Sequence, residues 1–350
     1  MARRWTGVAF ALGAAGLFGL SAPAAKALVD AVDPWLLAGL LYLGSGLGLG
    51  LYHVARRLGA RPAEASLASR DVPWLAGAIA AGGVIGPVLL MFGLAAGSAA
   101  QSALLLSLEG VLTALVAWLF FREHIAMRIA AGMAAITAGA MILAWQGSDG
   151  PMLDRSAMLV MGACLAWAVD NNLTRKVSAG DPVQIAALKG SIAGAVNVLV
   201  ALARGADWPS PGVALAAGLV GFVGYGTSLS LFVLALRHLG TARTGAYFST
   251  APFVGSIGSI LALAEPAPPR LLAAGALMAA GVWLHLTERH AHDHEHGALE
   301  HTHAHWHDEH HQHTHAPGLP VSEPHSHPHP HGRLRHSHPH YPDIHHRHPH

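Results

Sequence analysis

The stretch SAAQSALLLSLEGVLTALVAWLFFRE, residues 98–123, is mostly apolar and carries one charged side chain, Glu109, before the Arg122-Glu123 pair that ends it. A helix that is hydrophobic all round is buried in a large core or spans a membrane, and about 20 apolar residues cross a bilayer. Nine further apolar stretches of comparable length lie between residues 5 and 288. The sequence therefore predicts an all-α polytopic membrane protein that contacts the lipid bilayer.

We predict ten transmembrane helices, at residues 5–29, 34–55, 73–95, 99–121, 125–145, 156–177, 182–203, 212–236, 241–264 and 270–288. Turn-forming pairs such as Asp33-Pro34 and Asp181-Pro182 separate them. Glycine-rich runs at 44–50 and 190–194 indicate close helix–helix contacts. Charged residues make up only 12% of the chain and the net charge is +1, which argues against nucleic-acid binding. Because no catalytic triad, metalloenzyme motif or Walker motif is present, we predict neither an enzyme nor an ATP-driven pump.

Positive charge gives the predicted orientation. If the N-terminus is cytoplasmic, inside segments carry 13 Lys and Arg residues and outside segments carry four, namely Lys26, Arg155, Arg204 and Arg270. Cytoplasmic loops of membrane proteins carry the excess of Lys and Arg. We therefore predict a bacterial-type inner membrane protein with both termini in the cytoplasm.

The two halves of the apolar region, residues 5–146 and 156–288, resemble each other. At an offset of 142 residues, five residues of the first half have identical partners in the second: Leu94, Ala100, Ser107, Leu119 and Glu123 match Leu236, Ala242, Ser249, Leu261 and Glu265. Five helices is an odd number, so the halves insert in opposite orientations. The sequence thus predicts two inverted five-helix repeats, which in transporters rock about a site near the bilayer midplane.

Residues 98–123 and their partner, 241–266, resemble the drug/metabolite transporter superfamily, specifically a pair of EamA-type repeats. Both have a helix of small residues closed by a glutamate, and the second has Pro252 at mid-helix. The first has Gly110 where the family usually has proline. The resemblance covers about residues 5–288 and implies ten helices, secondary transport or exchange, and a small-molecule substrate such as an amino acid, another metabolite or a nucleotide sugar.

Ionisable and polar side chains inside apolar helices are the candidate binding residues, because placing them in a membrane is unfavourable. Glu109 is the first candidate, as a carboxylate that takes up a coupling proton, and packing by a hydrogen bond across helices is the alternative. Asp170 and Asn171 belong to a polar cluster on the sixth helix and are candidates to line a cavity. An Asp170–Thr174 hydrogen bond near the cytoplasmic interface would explain the same cluster without a function.

Three further residues complete the predicted site. Lys189 lies a third of the way along the seventh helix, where an ion pair with Glu109 or Asp170, or an anionic substrate, would explain it. Asn197 shares approximately the same helical face, and Tyr247 on the ninth helix could add a hydroxyl. For Glu123 and Glu265, which recur at helix ends, we expect boundary and turn roles.

The tail, residues 289–350, contains all of the chain's 27 histidines except His53, His124, His238 and His285. Many alternate with other residues, so neighbouring imidazoles of an extended chain could chelate one metal ion, and neutral imidazole suits Zn, Ni, Co and Cu. We name as candidate metal ligands eleven of them: His292, His294, His296, His301, His303, His305, His307, His325, His327, His329 and His331. Without metal, we expect this cytoplasmic tail to be disordered.

The sequence therefore favours a secondary transporter for a small organic metabolite, coupled to protons and requiring no cofactor. The alternative is a transition-metal exporter fed by the tail, although the apolar helices offer few metal ligands. A third hypothesis, a membrane-anchored metal sensor or buffer, does not explain two matched sets of helices. A homodimer is compatible with the sequence and is not predicted by any particular feature of it.

Overall fold

The computed structural model describes residues 2–58, 69–121, 127–145, 154–177, 181–239, 241–287, 291–296, 299–305, 325–331 and 334–339. The helices of the first half are α1 (Ala2–Val29), α2 (Pro34–Leu58), α3 (Val72–Ala78), α4 (Gly86–Ala96), α5 (Ala99–Leu105), α6 (Leu108–Phe121) and α7 (Met127–Ala144). Those of the second are α8 (Arg155–Thr174), α9 (Pro182–Ala203), α10 (Pro211–Val220), α11 (Ser228–Leu239), α12 (Thr241–Phe248), α13 (Ala251–Ala262) and α14 (Pro269–Leu286). Short 3-10 turns occupy Ser69–Asp71 and Arg175–Val177.

Eight helical segments within the described residues are long and apolar enough to cross a membrane. Two of the ten predicted spans are helical but do not meet these criteria. The first is α8, which carries Asp170, Asn171 and Asn172, and the second is broken into α12 and α13 at Ser249–Thr250. The multi-pass architecture is therefore confirmed, and the two remaining spans stay a prediction.

The helices pack in a pattern that is preserved when the two halves are exchanged. The most extensive contacts join α2 to α9 and α7 to α14, which are equivalent helices of the two halves. The contact of α1 with α11 is matched by that of α8 with α4, and the contact of α1 with α13 by that of α8 with α6. Such reciprocal packing is what two structural repeats related by a pseudo-twofold axis produce.

Each half also contains one π-helical segment, and the two lie at equivalent positions. Ile79–Ile85 joins α3 to α4, and Gly221–Thr227 joins α10 to α11. They start 142 residues apart, which is the offset of the sequence repeat. A π segment leaves backbone groups outside the regular α-helical ladder, and such segments are frequent at functional sites.

The predicted helix starts and close contacts are present. Asp33 accepts hydrogen bonds from the backbone of Trp35 (2.9 Å) and Leu36 (3.1 Å), and so caps α2. Asp181 caps α9 in the same way. Where α2 crosses α9, a Cβ atom on Gly190 would lie 2.8 Å from the Cα atom of Gly46, so only glycine permits this approach.

Large apolar side chains cover the outer surface of the helices. Leu51, Phe120 and Leu261 are 73%, 76% and 77% exposed. Apolar patches this extensive are rare on monomeric soluble proteins. Their distribution over several spans suits a protein surrounded by lipid.

The described parts of the tail are four strands: β1 (Ala291–His296), β2 (Leu299–His305), β3 (His325–His331) and β4 (Leu334–Pro339). They pair antiparallel as β1 with β4 and β2 with β3. The expectation of a disordered tail is therefore not confirmed for these segments. Histidines that alternate with other residues are compatible with a β-strand and with a disordered segment. Composition alone therefore did not distinguish these two conformations.

Candidate functional site

The first π segment is held by side chains from three other spans. The carbonyl of Gly82 accepts hydrogen bonds from Tyr42 Oη and Trp167 Nε1, both at 2.9 Å. The carbonyl of Gly83 accepts one from Asn197 Nδ2 at 3.1 Å. Asn197 is fully buried and its Oδ1 accepts from Trp35 Nε1 at 3.2 Å. Asn197, predicted as a binding residue, is therefore placed where it fixes the backbone.

Lys189 forms an ion pair with Asp170, one of the two partners that the sequence suggested. The Lys189 Nζ to Asp170 Oδ1 distance is 2.5 Å, and Thr174 Oγ1 bridges them, at 3.0 Å from the amine and 2.8 Å from the carboxylate. The expected Asp170–Thr174 hydrogen bond is thus present. Gly82 faces the pair, and a methyl group there would overlap the Asp170 carboxylate. Each charge is neutralised by the other, as burial in an apolar region requires.

Glu109 lies in the first turn of α6, immediately after the break that follows α5. Its Oε1 accepts a hydrogen bond from Asn171 Nδ2 at 2.9 Å, and the same amide donates to Thr113 Oγ1 at 3.2 Å. The neighbouring Asn172 Nδ2 donates to the carbonyl of Thr113 at 3.1 Å. Two consecutive amides of α8 therefore hold α6 in place and fix one oxygen of the Glu109 carboxylate.

A cavity of about 190 Å³ lies beside Glu109. It is lined by Phe18, Leu106, Ser107, Glu109, Gly110, Val111, Ile136, Phe248, Ser249, Ala251, Pro252, Val282 and His285. The break between α5 and α6 and the break between α12 and α13 both border it. In transporters built from repeats, substrate sites form between such discontinuous helices.

Equivalent residues of the two repeats face this cavity together. Ser107 pairs with Ser249, and Gly110 with Pro252, each at the offset of 142 residues. Gly110 is the position where the first repeat lacks the proline seen in the second, and α6 nevertheless begins close to it, at Leu108. The carboxylate breaks the symmetry, because the equivalent of Glu109 is Ala251.

Of the six predicted residues, Glu109 alone lines the cavity, and Asn171 donates a hydrogen bond to Glu109. Asp170 and Lys189 neutralise each other, and Asn197 supports the π segment. Tyr247 does not line the cavity, although Phe248 and Ser249 beside it do.

The sequence reasoning missed Phe18, Phe248 and His285 as cavity residues. The one sequence feature that points to the cavity wall is the internal repeat, which makes Ser107 and Ser249 equivalent residues. His285 Nε2 lies 3.0 Å from the carbonyl of Ile129, and because a carbonyl only accepts, Nε2 carries a proton.

Glu265 occupies a boundary, as expected. Its carboxylate accepts hydrogen bonds from Ser98 Oγ (2.6 Å) and from the backbone N–H groups of Ala99 and Ala100 (both 2.9 Å), so it caps α5 of the other half. Partial burial alone would raise the pKa of Glu265, but these three hydrogen bonds and the positive charge of Lys26 outweigh it and hold the pKa below its ordinary value. The equivalent Glu123 lies outside the described residues.

The model of the EamA-like transporter family matches the chain twice, over residues 5–145 and 155–287. The chain belongs to the EamA-like transporter family. An uncharacterized transporter from Methanothermobacter thermautotrophicus is 27% identical to it over 296 residues, which cover 81% of this chain and 86% of that protein.

A protein of known crystal structure shares the fold of this EamA-like transporter, with a TM-score of 0.58 and 18% identity over 81% of this chain and 95% of that one. The family match and the eight apolar spans make the chain a multi-pass membrane transporter. Among the described residues, no group of three or more His, Cys, Asp or Glu side chains is placed to hold a metal ion. Of the candidate tail ligands, His307 lies outside the described residues.

Proposed function

We propose that this transporter moves a small organic metabolite by alternating access, coupled to a proton that Glu109 binds. The observation that carries the proposal is the cavity between two broken helices at equivalent positions of the repeats, with one carboxylate in its wall. A site shared by two repeats becomes accessible from either side when one repeat rocks against the other.

The proposed topology has ten spans, with both termini in the cytoplasm of a bacterial-type cell and the two halves inverted. The excess of Lys and Arg on the predicted inner loops supports the orientation. The reciprocal packing of α1 with α11 and of α8 with α4 supports the two-repeat arrangement. Under this topology α8 and the α12–α13 pair also cross the membrane.

Glu109 suits the coupling role for two reasons. It is the acidic member of the cavity wall, where its repeat partner Ala251 cannot ionise. The Asn171 amide also holds one oxygen of the carboxylate in place, so the group that gains and loses a proton has a fixed position beside the substrate. Asp170 is paired with Lys189 and is not among the residues that line the cavity, so it is less well placed for this role.

The test compares cells that express the full chain, Glu109→Gln and Asp207→Asn, with metabolites of cells and medium measured by mass spectrometry. Asp207 is an exposed loop carboxylate and provides the matched control. The proposal predicts that one or a few small metabolites change with the full chain and with Asp207→Asn, and not with Glu109→Gln. Identical metabolite profiles in all three strains would contradict it.

A second candidate, transition-metal export fed by the tail, is favoured by one feature of the tail strands. Their antiparallel registers place histidine opposite histidine in five pairs: His292 with His338, His294 with His336, His301 with His329, His303 with His327, and His305 with His325. Paired histidines on neighbouring strands suit chelation of Zn, Ni, Co or Cu.

Cellular Zn, Ni, Co and Cu, measured by mass spectrometry with and without residues 290–350, separates the two candidates. A metal that falls in cells with the full chain, and recovers with both the deletion and Glu109→Gln, would establish metal export. Metabolite transport that persists without residues 290–350 would support the first candidate. A modest rise in bound metal that depends on the tail would show only that the tail binds metal.

A further inference from the structure

We propose that the cavity binds a protonated amine, a small organic cation with an apolar body. This inference rests on the proposed function, because it names the class of substrate that the cavity would carry. The charge, the hydrogen-bonding groups and the apolar surface of the cavity wall each support it.

The charge of the wall is that of a single carboxylate. Glu109 is acidic, and no Lys or Arg of the described residues lines the cavity. The nearby Lys189 is occupied by Asp170, at 2.5 Å. A carboxylate in a region of low dielectric attracts a cation strongly and repels an anion, and these wall residues offer no positive group to hold a carboxylate or phosphate.

The polar atoms of the wall are mostly hydrogen-bond acceptors. Asn171 occupies Oε1 of Glu109, while Oε2 accepts no hydrogen bond from the described residues. His285 directs Nε2 toward the carbonyl of Ile129, and Nδ1 is an acceptor whenever the ring is neutral. The hydroxyl of Ser107 is buried and has no partner among the described residues. An ammonium group, with three N–H donors and no acceptor, complements such a set.

The rest of the wall is apolar and partly aromatic. The rings of Phe18 and Phe248 lie with their centroids 5.4 Å apart, and Leu106, Ile136 and Val282 complete the surface. Aromatic faces attract organic cations. The volume of about 190 Å³ is below the roughly 300–1,000 Å³ of pockets for drug-sized ligands, so the cation is small.

A bare metal cation fits less well than an organic one. Glu109 and His285 are the two wall residues with side chains that commonly ligate metals, whereas transition metals take three or four protein ligands. No larger group of such residues occurs in the part of the chain that the structure describes. The aromatic and aliphatic surface would contribute nothing to a small dehydrated ion.

Three probes of similar size and different charge test the inference: phenethylamine, a cation, hydrocinnamate, an anion, and phenethyl alcohol, which is neutral. Their binding to the purified full chain in detergent at pH 8 is measured by isothermal titration calorimetry. We expect phenethylamine to bind at least about tenfold more tightly than the other two, because hydrogen bonds between charged groups are stronger than those between neutral ones. Glu109→Gln should lose this preference, and Asp207→Asn should keep it.

Two further variants protect the test against a misfolded Glu109→Gln protein. Glu109→Asp keeps the charge and should retain part of the preference for phenethylamine, and Ser107→Ala should weaken binding severalfold without reversing the order of the probes. Equal binding of hydrocinnamate or phenethyl alcohol would overturn the inference. So would an affinity for phenethylamine that is unchanged in a folded Glu109→Gln protein.

The outcomes also separate this inference from the proposed function. If the metabolite comparison finds an anion or a zwitterion that depends on Glu109, transport stands and the amine class is wrong. If phenethylamine binds in a Glu109-dependent way while no metabolite changes between strains, the amine class stands and the transport proposal fails.

Discussion

Ser107 and Ser249 are 142 residues apart in the chain and line the same cavity, each beside the point where its helix breaks. The internal repeat of the sequence makes these two serines equivalent. Because both serines line one cavity, the internal repeat of the sequence is also present in the structure of the site. Glu109, whose equivalent is Ala251, then gives the symmetric cavity its single acidic group.

The ion pair between Asp170 and Lys189 makes a prediction about stability. Removing one partner of a buried pair leaves the other charge uncompensated, so we expect Asp170→Asn to lower the free energy of unfolding by about 3 kcal/mol. Combining it with Lys189→Met removes both charges and should recover much of the loss. Thermal unfolding in detergent compares the stability of the unmodified protein, of Asp170→Asn and of the double variant. A double variant as unstable as Asp170→Asn would contradict this account.

The crossing of α2 and α9 makes a second prediction. A Cβ atom on Gly190 would lie 2.8 Å from the Cα atom of Gly46 and 3.0 Å from the carbonyl of Tyr42, so Gly190→Ala should destabilise the protein by about 1–3 kcal/mol through overpacking. Gly50→Ala, on the partner helix α2, is the control, because nothing lies near its added methyl group. The melting temperature should fall only in the first variant. Equal melting temperatures would show that the two helices do not meet closely at Gly190.

Glu265 makes a prediction about pH. The pKa of Glu265 is lowered in the folded protein, because hydrogen bonds from Ser98, Ala99 and Ala100, together with the charge of Lys26, outweigh the effect of partial burial. Its stabilisation is therefore fully present above the unfolded pKa of about 4.3 and is lost as the pH falls through the lower folded value.

Glu265→Gln should consequently lower the melting temperature at pH 7, by about 2–4 °C for each kcal/mol lost, and the difference from the unmodified protein should shrink near pH 3. The exposed Asp30 provides a control variant, Asp30→Asn, which should show no such difference. A difference for Glu265→Gln that is constant between the two pH values would mean that the carboxylate is not what caps α5.

The fold was predictable because its determinants are local or repeated. Apolar runs indicated the spans, Asp33 and Asp181 marked the starts of α2 and α9, and glycines marked their crossing. The spans that fell short of the length and hydropathy criteria, α8 and α12–α13, are the ones that carry polar residues or a break. In α8 the amides of Asn171 and Asn172 bond to Glu109 and Thr113 of α6, which is distant in the sequence, and no local pattern reveals such contacts.

The site was predictable only in part for a related reason. Charge inside an apolar helix identified Glu109, Asp170 and Lys189, yet which charges pair depends on how three helices meet. Asn197 lies on the expected face of α9 but donates a hydrogen bond to the carbonyl of Gly83, in the π segment. Phe18 and Phe248 are ordinary apolar residues in sequence, and only the cavity shows their position.

The measurement that tests the central claim most directly is uptake by proteoliposomes from a cell extract, with and without an imposed pH gradient. Vesicles contain the full chain, Glu109→Gln or Asp207→Asn, and their contents are analysed by mass spectrometry. We predict that a small metabolite accumulates with the full chain and Asp207→Asn when the gradient is present, and not with Glu109→Gln. Accumulation that is unaffected by the gradient, or equal with Glu109→Gln, would contradict the role of Glu109 in proton-coupled transport.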